Sequence, residues 1–188
     1  TYYVSQAVNG CTSPTTSVTL TINALPAAPN AGTDISICYG DPTPDLTATG
    51  TSIQWYNTAG TLIGSGSPFA SGVTAPGSYT FIATQTNTVT TCQSLGDTVV
   101  LTINSIAPPV APDVAVCAGN PVPDLTATGT DIKWYNSSMV LVFSGSPFAT
   151  GQTAVGTYTY YVSQTNTVTT CVSTVDTVYL VISTQPTL

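Results

Sequence analysis

The stretch "GTYTYYVSQTNTVTTCVSTVDTVYLVI", residues 156 to 182, decides the fold class. Tyr158, Tyr160 and Val162 alternate with Thr159, Tyr161 and Ser163, and Val178, Leu180 and Ile182 share one face further on. Strict period-two alternation describes strands with one packed face and one wet face. The second half of the stretch recurs as "TNTVTTCQSLGDTVVLTI" at residues 86 to 103, and more loosely as "AVNGCTSPTTSVTLTI" at residues 7 to 22.

The recurrence has a fixed register. Cys38 and Cys117, Trp55 and Trp134, and Cys92 and Cys171 are each separated by 79 positions with no gap. "PDLTATGT" occurs at Pro44 and Pro123, and "SGSPFA" at Ser65 and Ser144. Solenoid and propeller repeats run about 20–50 residues, so this longer period marks a tandem array of small domains with modest cores of their own. "TYYVSQ" at Thr1 matches the same string at Thr159. The expected order is therefore the closing strand pair of a truncated repeat (1–25), two full repeats (26–105 and 106–184) and the start of another (185–188). Such an order suits a window cut from a longer array.

Composition narrows the function classes. The 188 residues carry one basic side chain, Lys133, and eight acidic ones, all Asp, for a net charge of −7; there is no His, Glu or Arg. Nucleic acid is excluded as a partner, since phosphate binding needs Lys and Arg to displace counterions. No apolar run of about 18 residues exists, so insertion of a membrane helix is not expected. The acidic balance also opposes an anionic membrane surface. Charge is too sparse for a solvated disordered tract. Abundant Thr, Val, Ile and Tyr favour strands. Gly and Pro recur at the spacing of an all-β sandwich or barrel.

Within the second full repeat, the Pro-rich joint "APPVAP" (Ala107 to Pro112) leads into "DVAVC", a short strand ending at Cys117. "LTAT" (Leu125 to Thr128) is expected to be another strand. "DIKWYN" places Ile132 and Trp134 opposite Lys133 and Tyr135, and "SSMVLVFSG" reads as a hairpin. The first full repeat matches, with joint "LPAAP", then Ile53 and Trp55, then Tyr79, Phe81 and Ala83, then Val99, Leu101 and Ile103. A buried Trp on a central strand, an aromatic strand late in the domain and a final aliphatic strand resemble an immunoglobulin-like sandwich. "PGSY" at Pro76 and "VGTY" at Val155 look like the Gly-x-Tyr corner of such domains. Phe81 and Tyr160 stand where antibody domains carry a core cysteine, which excludes the core-disulfide subfamily.

The cysteines read as two pairs inside their own repeats, Cys38–Cys92 and Cys117–Cys171. Each closes about 55 residues, worth roughly 4 kcal/mol on the chain-entropy model. Cys11 aligns with Cys92 and Cys171, and its partner is expected upstream of Thr1. The competing reading, a metal site, needs clustered Cys or His, and neither occurs. Intradomain pairing points to an oxidising compartment.

The succession Cys, Trp-Tyr, "TYYVSQ", Cys-x-Ser and an alternating aliphatic strand resembles the Ig-like repeats of giant secreted surface proteins of Bacteroidota. That resemblance implies cargo of the type IX secretion system, serving as adhesins, gliding filaments or stalks that carry sugar-binding or enzymatic modules. "DTV" at Asp97 and Asp176 also resembles the O-glycosylation site of that phylum, with Thr98 and Thr177 as candidate acceptors; as plain strand-start residues the two Thr need no further role.

Catalytic chemistry is not expected. The chain lacks a Ser-His-Asp set, a Cys-His set and a phosphate-cradling loop. Asp41 and Asp45 flank a turn, but Asn120 replaces Asp41 in the other copy, which breaks a glycosidase-type carboxylate pair. Calcium at this turn competes with ordinary Asp/Asn turn chemistry. Tyr56 and Tyr135, opposite the core Trp, are candidates for stacking on sugar rings or for cross-strand packing. No cofactor is expected. The sequence therefore predicts a structural or adhesive segment of an extracellular surface protein, acting as a spacer or fibre, with neighbouring repeats, copies of itself, surface glycans or other cells as partners. The alternative is a carbohydrate-binding module of a secreted hydrolase.

Overall fold

The computed structural model describes residues Thr1–Pro186. The expected start of a further repeat at 185–188 thus falls partly outside the described residues. All regular structure among them is β: β1 (Tyr2–Val4), β2 (Ala7–Val8), β3 (Cys11–Thr12), β4 (Thr16–Val18), β5 (Ile35–Cys38), β6 (Ile53–Tyr56), β7 (Leu62–Ser65), β8 (Gly77–Gln85), β9 (Asp97–Asn104), β10 (Val114–Cys117), β11 (Lys133–Tyr135), β12 (Leu141–Ser144), β13 (Gly156–Ser163) and β14 (Asp176–Ser183). Packing divides the chain into two compact units. One comprises Thr1–Thr33, Asp45–Ser71 and Thr80–Val99; the other comprises Asp34–Pro44, Gly72–Tyr79 and the chain from Val100 onward.

Two five-stranded sheets have the same order, β5-β9-β8-β6-β7 and β10-β14-β13-β11-β12. The long strands pair antiparallel with their sequence neighbours, whereas the short leading strand lies parallel to the last one: Ile35 faces Leu101 and Val114 faces Leu180. The opposite layer is irregular, held by single bridges such as Leu46 with Phe69 and Leu125 with Phe148. Here the sequence expectation fails in part. "LTAT" at Leu125 to Thr128 forms only isolated bridges, because its two ends pair with different segments, Leu125 with Phe148 and Thr128 with Val110, while the Ala127 amide between them donates to the Ser146 hydroxyl.

The alternation seen in the sequence becomes the core. Val178, Leu180 and Ile182 are buried, with Ile132, Trp134, Phe148, Tyr160 and Val162 packed against them. Trp55 and Trp134 are both fully buried. Each indole N–H donates to a backbone carbonyl, of Gly66 at 2.8 Å and Gly145 at 3.0 Å, so the ring is desolvated without an orphaned donor. The hydroxyls of Tyr79 and Tyr158 donate to the carbonyls of Ala75 and Ala154, both at 3.1 Å. This is the tyrosine corner that "PGSY" and "VGTY" imply.

The β11–β12 hairpin turns as its sequence implies. The Asn136 side chain accepts from the amides of Ser138 and Val140, just as Asn57 accepts from Ala59 and Thr61. The left-handed position of the turn is Gly60 in one copy, which adopts it freely, and Met139 in the other, at φ 58°, which does so at a steric cost.

Candidate functional site

The residues that set this chain apart from a plain sandwich are its cysteines, and the structure corrects their pairing. Cys38 is bonded to Cys171, with Cα atoms 5.4 Å apart and a sequence separation of 133. Among the described residues, Cys11, Cys92 and Cys117 are free thiols. Neither Cys38–Cys92 nor Cys117–Cys171 forms.

The reason lies in the parallel leading strand. Cys117 ends β10 opposite Ser183, the last residue of β14. Cys171 sits in the loop before β14 begins at Asp176. The eight-residue strand therefore lies between them; at about 3.3 Å per residue that is roughly 23 Å, against a limit near 7 Å for a disulfide. Register places Cys38 in the same way, opposite Asn104, the last residue of β9. A leading cysteine and a loop cysteine of one copy thus occupy opposite ends of a strand. The bond that forms joins the leading cysteine of the first copy to the loop cysteine of the second, both within the second compact unit.

Local chemistry presents both sulfurs. The leading cysteine closes a strand and opens a tight turn. The amide of Asp41 donates to the Cys38 carbonyl at 3.1 Å, and the Asp41 carboxylate accepts from the Cys38 amide at 3.2 Å. Asp41 is therefore occupied in holding this turn. Asn120 repeats the backbone contact to Cys117 at 3.2 Å. The loop cysteine is fixed by an asparagine. Asn166 accepts from the amides of Val168 and Thr169 through its side chain, and its own amide donates to the Cys171 carbonyl at 2.9 Å.

A pair of glutamines completes the arrangement. Gln85 donates to the Ala27 carbonyl at 2.7 Å and accepts from the Thr51 amide at 2.9 Å. Gln164 does the same with Ala107 and Thr130, at 2.8 and 2.9 Å. Each amide ties the Pro-rich joint to the sandwich that follows the joint in sequence. The sequence reading passed over these residues, although the signal was present: glutamine ends the alternating strand in every copy, at Gln6, Gln85 and Gln164.

The other candidates take ordinary structural places. Tyr56 and Tyr135 lie opposite the core Trp, half-buried. The Tyr56 hydroxyl donates to Gln54 and accepts from Gln93, and the Tyr135 hydroxyl lies 3.3 Å from that of Ser163. Thr98 is exposed and Thr177 half-buried, each second in its strand. Their neighbour Asp97 accepts from the Ala31 amide at 2.8 Å, and Asp176 accepts from the Thr177 amide. Lys133 pairs with Asp131 at 3.3 Å.

No family model matches the chain, and no curated protein does. Solved structures resemble it distantly. Drosophila N-cadherin EC1–4 aligns with a TM-score of 0.39 and 12% identity over 85% of this chain, which spans half the length of that fragment. The tandem Ig repeats of Dlar align at 0.32 and 14% identity, over 84% of this chain and 96% of theirs. The four N-terminal Ig domains of Dscam1 isoform 6.9 align at 0.31 and 15%, over 94% and 51%. Likenesses this distant say nothing about what the chain binds.

Proposed function

We infer that this chain is a structural segment of an extracellular surface protein or filament, built from copies of one Ig-like module (26–105 and 106–184) and working as a spacer that holds its length under tension. The observation that carries this reading is the bond from Cys38 of one copy to Cys171 of the next. A disulfide that served only module stability would stay inside the module. One that joins successive copies restrains how the modules swing about the Pro-rich joint and keeps the intervening chain from paying out when pulled. The glutamine ties at Gln85 and Gln164 act in the same sense, by fixing each joint to its module. A disulfide that must persist fits an oxidising location outside the cell. The resemblance of the motifs to surface repeats of Bacteroidota supports the same placement, and an adhesin or gliding filament is the finer form of this reading. The sequence has no His or Glu, and its one carboxylate pair at a turn, Asp41 and Asp45, is not repeated in the second copy, where Asn120 replaces Asp41; this supports a mechanical rather than a catalytic role.

Single-molecule stretching of the chain by its two ends tests this. The bond spans a sequence separation of 133. Adding a reductant should lengthen the fully extended chain by roughly 450 Å, at about 3.4 Å per residue. Equal contour lengths with and without reductant would remove the restraint on which the reading rests. Glycan binding that disappears in Tyr56→Ala and Tyr135→Ala would instead favour a carbohydrate-binding module.

A further inference from the structure

The cysteine that bonds in the first copy is free in the second, yet it is held in the same way. The amide of Tyr39, after Cys38, donates to the carbonyl of Asn104 at 2.7 Å; that of Ala118, after Cys117, donates to Ser183 at 2.8 Å. The turn amides of Asp41 and Asn120 bond to the carbonyls of Cys38 and Cys117 at 3.1 and 3.2 Å. The loop cysteines match as closely. The amide of Asn87 reaches the Cys92 carbonyl at 3.0 Å, and that of Asn166 reaches Cys171 at 2.9 Å. Both sulfurs lie 3.7 Å from the carbonyl two residues earlier, of Thr90 or Thr169. Thr91 and Thr170 share the same left-handed backbone, at φ 58° and 60°. The free thiols Cys92 and Cys117 therefore already stand in the conformation that the bonded pair adopts. A second feature marks the Cys117 end. A cavity of about 430 Å³ opens beside it, lined by Ala118, Pro121, Val122, Ala149, Gln152 and Ile182 among others.

We propose that Cys117 is a docking point for a further copy of this same repeat, whose loop cysteine bonds to it as Cys171 bonds to Cys38. Cys92 is the reciprocal point, bonding to the leading cysteine of a preceding copy. The staple is then a ladder with a period of one repeat, in which every copy gives one sulfur forward and one back. Each rung forms when two thiols lose two protons and two electrons. A disulfide oxidant such as oxidised glutathione takes up the electrons and is reduced to two thiols. The inference rests on the spacer reading for its setting, but pairing can be read out apart from mechanics.

The test is a chain extended after Thr184 by one more copy of residues 106–184, with Val168→Ile in the added copy as a mass tag at an exposed position. After oxidation with glutathione, a chymotryptic digest without reduction should contain Cys38 joined to the untagged loop peptide and Cys117 joined to the tagged one. Of the five cysteines present and two added, three thiols should remain titratable in denaturant, the same number as in the unextended chain. Five free thiols in an extended chain whose added tryptophan is buried would overturn the proposal. So would Cys117 joined to Cys171 of its own copy and Cys38 to Cys92, which together would leave a single free thiol in the unextended chain. Cys117→Ser in the extended chain separates pairing from folding. It should leave tryptophan fluorescence unchanged while the number of free thiols rises from three to four; a count that stays at three would show that the tagged loop cysteine pairs elsewhere and would also sink the idea.

Discussion

The first 25 residues and residues 159–183 are near copies of one sequence in two situations. Val18, Leu20 and Ile22 answer to Val178, Leu180 and Ile182, and Tyr2 and Val4 to Tyr160 and Val162. In the complete copy these five side chains form the core. In the N-terminal copy all five are exposed: Ile22 is 88% exposed and Ile182 2%, Val4 58% and Val162 0%. The strands shrink accordingly, from eight residues in β13 and β14 to three in β1 and β4. Yet the loop between them keeps its bonds. The amide of Gln6 donates to the Ser13 hydroxyl at 3.1 Å, as Gln164 does to Ser173 at 3.0 Å, and the return bonds from Ser13 and Ser173 are both 2.8 Å. Local sequence suffices for the loop. Among the described residues this strand pair has no opposing layer to pack against, and an isolated hairpin is at best marginal in water.

The comparison can be broken most forcefully at the tryptophan of the complete copy. Trp134→Ala should cost about 3–5 kcal/mol. Urea unfolding followed by the remaining indole, Trp55, reports whether the first sheet survives; its loss in the same transition would show that the copies do not fold separately. A sharper contrast comes from paired leucines. Leu180→Ala should cost about 2–5 kcal/mol, and Leu20→Ala no more than about 0.5 kcal/mol. Equal effects on thermal unfolding would mean that Leu20 is covered in solution. A smaller loss than at either core residue is expected at the corner. Tyr158→Phe removes one hydroxyl bond to Ala154 and should cost about 1 kcal/mol, visible as a lower denaturation midpoint at an unchanged m-value.

Much of this was legible beforehand. Alternation at 53–55, 79–83, 99–103 and their counterparts marks the buried face, because a strand's side chains have only two directions in which to point. The tyrosine corner was legible for a similar reason, since donor and acceptor lie four residues apart. "LTAT" misled because strand propensity is satisfied only when a neighbour lines up over several residues.

Sequence alone determined the repeat, the β class, the two cores and the position of every sulfur along the chain, since each follows from spacing or from contacts within a few residues. It could not determine which sulfurs meet. Cys38 and Cys92 are close enough along the chain to invite pairing, but β5 runs parallel to β9, so a leading cysteine lies at the far end of the closing strand from its own loop. Strand direction is a long-range property, fixed by hydrogen bonds between residues some 66 positions apart such as Val100 and Asp34. The pairing, and with it the link from copy to copy, was decided there.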